Sequence, residues 1–259
     1  MRYLLPLLLF ASAAPAQLLP PNEAGVTMGH LHFRVRDPEA HKKFWVEQLG
    51  AAPAKIGAFD VMKFPGVLVF LTKGEPSGGT DGSVINHIGF LVRDLDASLA
   101  RWKAAGVRIP TENLANRQVF LLAPDDIRIE IYEDKTISAP IVNHHVHFYT
   151  TAVEETQAWY VKAFGAKAGK RSRFEAADLP GVNLTFSPSK EPTAPIKGRS
   201  LDHFGFEVRN LEALCKRLEG MGIKFDVPYR KVPALGIAVA FLTDPWGTYL
   251  ELTEGLDKI

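Results

Sequence analysis

Two short stretches of the chain concentrate histidine, a side chain that binds metal ions and transfers protons near neutral pH. GHLHFRVR, residues 29–36, holds two of the eight histidines, and NHHVHFYT, residues 143–150, holds three more. Both stretches alternate polar and apolar residues as β-strands do, so residues two apart share a face. His30 with His32, and His145 with His147, are therefore predicted to point to one side of a sheet.

The chain repeats itself, and the repeat includes these histidines. The sequence from Gly29 matches the sequence from His144, so that His30 falls on His145. INHIGFLVRD matches LDHFGFEVRN, and IRIEIYE matches TYLELTE, which places Glu130 on Glu251. A weaker match inside each half indicates four related units. Pro140 and its neighbours in TISAP are the predicted link between the halves.

Each half carries the composition of a divalent-metal site. Imidazole nitrogen and carboxylate oxygen suit borderline divalent ions, and three protein ligands leave positions open for water, substrate or oxygen. The residues are far apart in sequence, so they converge only if their strands adjoin. The predicted groups are His30, His87 and Glu130 in one half, and His145, His203 and Glu251 in the other. Inherited copies that bind no metal are the alternative.

Each unit has the pattern of a strand, a helix and further strands. PEAHKKFWVEQLG and LDASLARWKAAGV have apolar residues at helical spacing and end on glycine. QVFLLAP and IRIEIYE are β-rich runs broken by a turn. Leu31, Phe33 and Val35 should face the helices, with the histidines on the opposite face. This pattern predicts an α+β fold.

These motifs resemble the vicinal oxygen chelate superfamily, which holds glyoxalase I, extradiol dioxygenases and bleomycin-resistance proteins. The resemblance rests on GHLHFRVRD, NHIGFLVRD, DHFGFEVRN, FWVEQLG and DPWGTYLEL, and covers residues from about 28 to 255. It implies four βαβββ modules that form two tandem domains, residues 28–135 and 141–255. It also implies one divalent metal per domain at most, held by His30, His87, Glu130, His145, His203 and Glu251. Fe²⁺ or Mn²⁺ is favoured, with Zn²⁺, Ni²⁺ or Co²⁺ as alternatives.

Departures from individual members narrow the expected chemistry. Glyoxalase I-like proteins place a fourth, carboxylate ligand where this chain has Phe70 and Thr185. Extradiol dioxygenases place a tyrosine at the position that Phe120 occupies in the first half of this chain and Phe241 occupies in the second half. Two further histidines on the inner face, His32 and His147, are predicted to act as catalytic acid or base. An equal alternative is that they only hydrogen-bond to a ligand residue. The other inner-face residues are predicted to contact substrate: Arg34, Tyr132, Tyr149, Glu207 and Tyr249.

The composition sets the cellular and partner expectations. A net charge of +1 gives no electrostatic reason to bind nucleic acid. Residues 1–16 have the pattern of a secretory signal, so a periplasmic or secreted protein without a membrane anchor is expected. Cys215 is the single cysteine, so no intramolecular disulfide forms. A homodimer is compatible with the sequence.

The expected function is therefore an exported divalent-metal enzyme that acts on a small oxygenated organic molecule. Its chemistry would be dioxygenase-like, or that of a lyase or isomerase. A metal-free protein that binds and sequesters a small molecule is the alternative from another class.

Overall fold

The computed structural model describes residues 18–259. The predicted secretory signal, residues 1–16, lies outside the described residues. Among the helices that are described, none has the length and apolar composition that crossing a membrane requires.

Four modules of the predicted kind follow one another along the chain. The first (26–73) comprises β1 (Val26–Val35), α1 (Pro38–Lys43), β2 (Ala52–Ile56), β3 (Phe59–Phe64) and β4 (Val67–Lys73). The second (85–133) comprises β5 (Ile85–Val92), α2 (Leu95–Ala104), β6 (Arg108–Asn113), β7 (Gln118–Ala123) and β8 (Ile127–Glu133). The third (141–188) comprises β9 (Ile141–Thr150), α3 (Val153–Phe164), β10 (Lys167–Arg171), β11 (Phe174–Leu179) and β12 (Val182–Pro188). The fourth (201–254) comprises β13 (Leu201–Val208), α4 (Leu211–Gly220), β14 (Val227–Val232), β15 (Ile237–Thr243) and β16 (Tyr249–Glu254).

Local sequence explains where the helices begin and end. Asp37 caps α1 by accepting hydrogen bonds from the backbone of Glu39 and Ala40, and Pro38 occupies the first helical position. The predicted helix PEAHKKFWVEQLG continues past α1 as a single π-helical turn, Phe44–Gln48. Gly165, in the left-handed conformation at φ 66°, ends α3.

The modules combine into two eight-stranded mixed sheets. The first sheet has the order β14-β15-β16-β13-β1-β4-β3-β2, and the second has the order β10-β11-β12-β9-β5-β8-β7-β6. The first sheet thus joins the first and fourth modules, and the second joins the second and third. Antiparallel pairs β1–β13 and β5–β9 lie at the middle of the sheets and connect the halves of the chain. Each sheet therefore takes one module from each sequence repeat.

The predicted helix-facing residues form a core that joins both sheets. Phe33 on β1 stacks on Trp45, and Trp45 also approaches Phe90 of the second sheet at 6.3 Å between ring centroids. Phe33, Trp45 and Phe90 are all fully buried. Burial of each such side chain contributes roughly 1.5–3 kcal/mol. Cys215 is buried as a free thiol.

Candidate metal centres

The first centre, defined as His30, His203 and Glu251, lies on the polar face of the first sheet. His30 Nε2 lies 3.0 Å and His203 Nε2 lies 3.1 Å from the same atom, Oε2 of Glu251. The adjacency of β1, β13 and β16 in the first sheet brings the three side chains together. Their exposed side-chain fractions are 2%, 7% and 13%. Two imidazole nitrogens and one carboxylate therefore converge in a buried place.

The second centre, defined as His87, His145 and Glu130, repeats this arrangement on the second sheet. His145 Nε2 lies 3.0 Å and His87 Nε2 lies 3.4 Å from Oε2 of Glu130. Here β5, β8 and β9 are the adjacent strands. All three side chains are buried. The two centres are thus built alike, one on each sheet.

The grouping differs from the one expected within each half of the sequence. His30 meets His203 and Glu251 of the other half, and does not meet His87 and Glu130. The physical reason is the pairing of the strands: β1 pairs with β13 and β5 pairs with β9, so each centre takes histidines from both halves. The expected grouping is wrong, although all six predicted ligands lie in one centre or the other.

A glycine on the neighbouring strand makes room for one histidine of each centre. Gly205 pairs with His30, and Gly89 pairs with His145. A Cβ atom at Gly205 would lie 2.2 Å from Cε1 of His30, and one at Gly89 would lie 1.8 Å from Cε1 of His145. The rings of His30 and His145 therefore occupy the space that a side chain at Gly205 or Gly89 would need.

β-bulges beside the histidines supply the partners that orient the other ligand ring. The pairing of β13 with β1 skips Asp202, and the pairing of β5 with β9 skips Asn86. A bulge turns a side chain to the face that strict alternation would deny it. Asp202 Oδ1 accepts a hydrogen bond from His203 Nδ1 at 2.7 Å, and Asn86 Oδ1 accepts one from His87 Nδ1 at 2.9 Å. Nε2 of both rings is left to face the glutamate.

The electrostatics of the first centre follow from these contacts. Burial opposes the charge on His203, but hydrogen bonds to Asp202 and Glu251 raise its pKa to about 8. Burial likewise opposes the ionisation of Glu251, yet His203 and His30 hold the pKa of its carboxyl below the ordinary value. In the second centre His145 and His87 lower the pKa of Glu130 in the same way. Both glutamates are therefore carboxylates at neutral pH.

The donor atoms fit a divalent metal ion. Among the described residues, Nε2 of His30, His87 and His145 is buried without a hydrogen-bond partner of acceptable geometry, although each lies close to a glutamate oxygen. Buried imidazole nitrogens are rarely left unpaired, because desolvation without a partner costs free energy. Two imidazoles and one carboxylate that converge in this way match the two-histidine, one-carboxylate set used by divalent metals. Metal binding would displace the proton that His203 carries below pH 8.

His32 and His147, the predicted acid–base residues, lie beside the centres. The ring centroids of His32 and His203 are 4.4 Å apart, and those of His147 and His87 are 4.5 Å apart. Nε2 of His32 shares a hydrogen bond of 2.7 Å with the hydroxyl of Thr72. Burial lowers the pKa of His147 to about 3, and burial with the nearby His203 lowers the pKa of His32. Both rings are neutral at pH 7.

The four positions at which the sequence departs from glyoxalase I-like proteins and extradiol dioxygenases are Phe70, Thr185, Phe241 and Phe120, and the first two have different surroundings. Phe70 lies with its ring centroid 5.4 Å from that of His30, whereas its counterpart Thr185 donates a hydrogen bond to Asn183. Phe241 and Phe120 each contact a ligand histidine edge-on, at 5.5 and 5.1 Å. Among the described residues no second carboxylate joins either centre as a ligand.

Three of the predicted substrate contacts lie near a centre. Tyr249 stacks on Phe241 and lies 5.7 Å from His203, and the ring of Tyr149 lies 5.5 Å from that of His147. Tyr132 accepts a hydrogen bond from Gln118, which also donates to Glu130. These tyrosines lie beside the centres, where a small molecule bound at a centre would meet them.

The other two predicted substrate contacts are held elsewhere. Arg34 Nε donates to the backbone carbonyl of Glu75 at 3.0 Å, in the loop after β4. Glu207 accepts hydrogen bonds from Thr253 Oγ1 and from the backbone amides of Gly255 and Leu256. Glu207 lines a cavity of about 480 Å³ whose described walls include none of the six ligands. It therefore fixes the turn that follows β16.

Sequence reasoning missed several residues that touch the ligands. Arg171, at the end of β10, donates from Nη2 to Glu130 Oε2 at 3.2 Å, and Gln118 donates to the other oxygen of Glu130. His144, at a bulge in β9, shares a hydrogen bond of 3.0 Å with Nδ1 of His145. The signal for Asp202 was its place next to a ligand histidine, but strict strand alternation directs it to the other face.

Comparisons with known proteins agree with this fold. The chain is similar to the structure of glyoxalase I from Zea mays, with 18% identity, a TM-score of 0.69, and coverage of 90% of this chain and 94% of that chain. This likeness shows the fold. The chain is also 37% identical over 84 residues to a probable trivalent organoarsenical cleaving enzyme of Bacillus subtilis (strain 168). That match covers 30% of this chain and 55% of the relative, so it spans about half of the relative's length.

A family model accounts for both halves of the sequence. The Glyoxalase/Bleomycin resistance protein/Dioxygenase superfamily matches residues 27–131 and 142–252, and these ranges contain all six candidate ligands of the two centres. The family expected from the sequence motifs is thereby confirmed. The chain belongs to the Glyoxalase/Bleomycin resistance protein/Dioxygenase superfamily.

Proposed function

We propose that the protein is a divalent-metal enzyme with two centres that acts on a small oxygenated organic molecule, with dioxygenase-type chemistry. The observation that carries the proposal is the convergence of two imidazole nitrogens on one carboxylate oxygen, at 3.0–3.4 Å, in both sheets. A structural role alone would not require the unpaired buried nitrogens of His30 and His145.

The donor set favours Fe²⁺ or Mn²⁺ among the divalent metals. Two histidines and one carboxylate with open positions are the ligands of non-haem iron oxygenases, whereas thiolate ligands would favour softer ions. The chain's single thiol, Cys215, is on α4, where burial raises its pKa to about 11. A metal bound at either centre would supply Lewis-acid or redox chemistry to an oxygenated ligand.

The chain's own residues supply orientation and hydrogen-bond acceptors. Asp202 holds the ring of His203 with Nε2 toward Glu251, and Asn86 does the same for His87. His32 and His147 are neutral at pH 7 and lie one ring away from a candidate ligand, where they can accept a hydrogen bond from a bound hydroxyl group. Their lowered pKa makes both rings weak acceptors of the proton itself. Phe241 and Phe120 give each centre an apolar aromatic wall.

Two alternative chemistries find less support in the described residues. Four-ligand isomerase chemistry would need a carboxylate where Phe70 and Thr185 stand. Cleavage of a trivalent organoarsenical, named for the bacterial relative, would be expected to use thiols because trivalent arsenic prefers soft ligands. Cys215 is buried among the residues of the core and does not line either centre.

The experiment that tests the proposal measures metal and oxygen together. Protein purified without chelator is analysed for metal by plasma mass spectrometry, beside Glu130→Ala, Glu251→Ala and the exposed control Glu154→Ala. Two metals per chain are expected, one of which is lost in each ligand variant and none in the control. Oxygen uptake by the iron-loaded protein is then measured with catechols and 2-hydroxy acids. A chain that takes up no metal even after reloading with Fe²⁺, Mn²⁺ and Zn²⁺ would overturn the metal-enzyme proposal and leave the binding-protein alternative.

We also propose that the protein is exported by the signal predicted in residues 1–16. The support is the sequence pattern alone, an apolar run followed by small residues ending in Ala14-Pro15-Ala16. N-terminal sequencing of the protein from the extracellular or periplasmic fraction tests it. Gln17 as the first residue is expected, and an intact Met1 on protein confined to the cytosol would contradict it.

A further inference from the structure

The two centres differ at three matched positions around the glutamate. Arg171, Gln118 and Tyr132 lie around Glu130 in the second centre. The strand registers identify the matching positions in the first centre. Ile56 matches Arg171, because Ile56 pairs with Phe59 as Arg171 pairs with Phe174. Val239 and Thr253 pair with each other as Gln118 and Tyr132 do. The counterparts of the three polar residues in the first centre are Ile56, Val239 and Thr253.

The charges next to the ligands differ as a result. In the first centre both charged groups bonded to ligand histidines, Glu251 and Asp202, are negative. In the second centre the neutral Asn86 replaces Asp202, and the guanidinium of Arg171 offsets the charge of Glu130. These groups would therefore neutralise a divalent ion bound in the first centre, whereas an ion bound in the second centre would keep its full positive charge.

The guanidinium of Arg171 would repel a metal ion bound in the second centre. Arg171 has only 16% of its side chain exposed, so solvent screens it weakly from an ion held by Glu130. Repulsion between guanidinium and metal is relieved when an anion lies between them. A carboxylate suits the place, because one of its oxygens can bind the metal while the other accepts a charge-assisted hydrogen bond from the guanidinium.

We propose that the second centre selects a 2-hydroxy or 2-oxo carboxylate, and that Arg171 binds the carboxylate of this ligand. The inference rests on the proposed function, because the adjacent hydroxyl or oxo oxygen and one carboxylate oxygen are the pair that would chelate the metal. The other carboxylate oxygen faces Arg171. Ile56 offers no such contact in the first centre.

Gln118 and Tyr132 complete the subsite. Gln118 donates to Glu130 and to the hydroxyl of Tyr132, so Glu130 keeps a hydrogen-bond donor when Arg171 turns to the ligand. Arg171 lies over the ring of Tyr132, 5.2 Å from the ring centroid to the guanidinium carbon. This contact holds the guanidinium beside the centre without using its N–H donors.

The experiment compares the two centres in single-centre variants loaded with Mn²⁺. Glu251→Gln leaves the second centre, and Glu130→Gln leaves the first. The water-proton relaxation rate reports Mn²⁺ binding, and its change on titration reports the displacement of water by a ligand. The probes are lactate and its uncharged analogue lactamide, and the quantity compared is the ratio of their dissociation constants. Because Mn²⁺ itself prefers the carboxylate, the first centre sets the reference ratio.

The second centre is expected to prefer lactate over lactamide by about 10- to 100-fold more than the first centre does, the effect of a hydrogen-bonded charge. Arg171→Ile, which installs the residue of the first centre, should remove this extra preference, and Arg171→Lys should keep part of it. Arg173→Ile, a nearby exposed arginine, removes the same charge and should change nothing.

The outcomes separate the inference from the function on which it rests. Mn²⁺ binding in both single-centre variants with equal lactate preference would overturn the role of Arg171 and leave the metal enzyme intact. Absence of Mn²⁺ binding in both variants and in the native chain would overturn the proposed function and this inference with it. The comparison of the two centres does not need the Arg171 variants to fold.

Discussion

His30 and Glu251 come from opposite ends of the described chain, yet Nε2 of His30 lies 3.0 Å from Oε2 of Glu251. The contact exists because β1 pairs with β13, and β13 in turn pairs with β16. The corresponding contact of His145 with Glu130 follows from the pairing of β9 with β5 and of β5 with β8. Each centre thus spans both halves of the sequence.

This grouping of ligands predicts how metal is lost from double variants. His30→Ala with His203→Ala should remove one metal per chain, because both residues serve the first centre. His30→Ala with His87→Ala should remove both metals, since each substitution opens a different centre. Metal per chain, measured by plasma mass spectrometry, decides the matter. If the halves held separate sites, the second double variant would keep one metal.

Gly205 and Gly89 are expected to be essential to one centre each. Alanine at Gly205 would place its Cβ inside the contact distance of the His30 ring, which is buried and has no room to retreat. Gly205→Ala should therefore lose the metal of the first centre and about 1–3 kcal/mol of unfolding free energy. Gly89→Ala should do the same to the second centre.

Metal content and urea unfolding measure both effects of the glycine substitutions. Gly169→Ala is the matched control, since a Cβ there meets no atom within 4 Å. Retention of both metals in Gly205→Ala would show that the His30 ring does not need to lie across β13.

The partners of the ligand histidines should tune metal affinity. Asp202→Asn removes the carboxylate that holds Nδ1 of His203, and should weaken metal binding at the first centre by about 10- to 100-fold. Asn86→Asp should tighten the second centre by a smaller factor, because the new carboxylate would face Asp81, to which Asn86 now donates. Competition with a chelating dye measures both constants. Equal affinities in Asp202→Asn and the native chain would remove Asp202 from this role.

Glu207 should make stability depend on pH outside the centres. Burial raises its pKa in the folded protein from the ordinary value of 4.5 to about 7. The folded state therefore binds the proton more tightly, so this stabilisation is complete below pH 4.5 and is lost as the pH rises through 7. The change amounts to roughly 3 kcal/mol.

The variant Glu207→Gln isolates this contribution of Glu207. It keeps an oxygen for the amides of Gly255 and Leu256, and should remove the part of the pH dependence between 4.5 and 8 that Glu207 contributes. The parts contributed by the histidines of the centres should remain. Urea unfolding at several pH values compares the two proteins. Parallel stability curves for the variant and the native chain would contradict the assignment.

Strand alternation could predict which side chains share a face, because the period of two is a local property of the backbone. Leu31, Phe33 and Val35 face the helices as expected, and the histidines lie on the opposite face. The motifs also predicted the modules and the fold family, which are confirmed. The pairing of modules could not be predicted, because β5 and β13 carry the same His-x-Gly pattern and present equivalent edges to β1.

The missed residues depend on departures from regular structure. Asp202 and Asn86 reach their histidines because a bulge reverses the direction of one side chain, and no pattern in a single sequence marks that bulge. Arg171 reaches Glu130 from another module, across a distance along the chain that periodicity does not address. Long-range register, rather than local propensity, decides both contacts.

The interleaved sheets also bear on how the two centres could come to differ. In a symmetric dimer of two identical half-length chains, every substitution appears twice, so both sites must change together. In this chain the repeats are covalently joined, and a mutation alters one centre alone. Arginine at position 171 opposite isoleucine at position 56, and aspartate at 202 opposite asparagine at 86, are differences that a homodimer could not hold. Joining the repeats in one chain therefore allows each centre to change without the other.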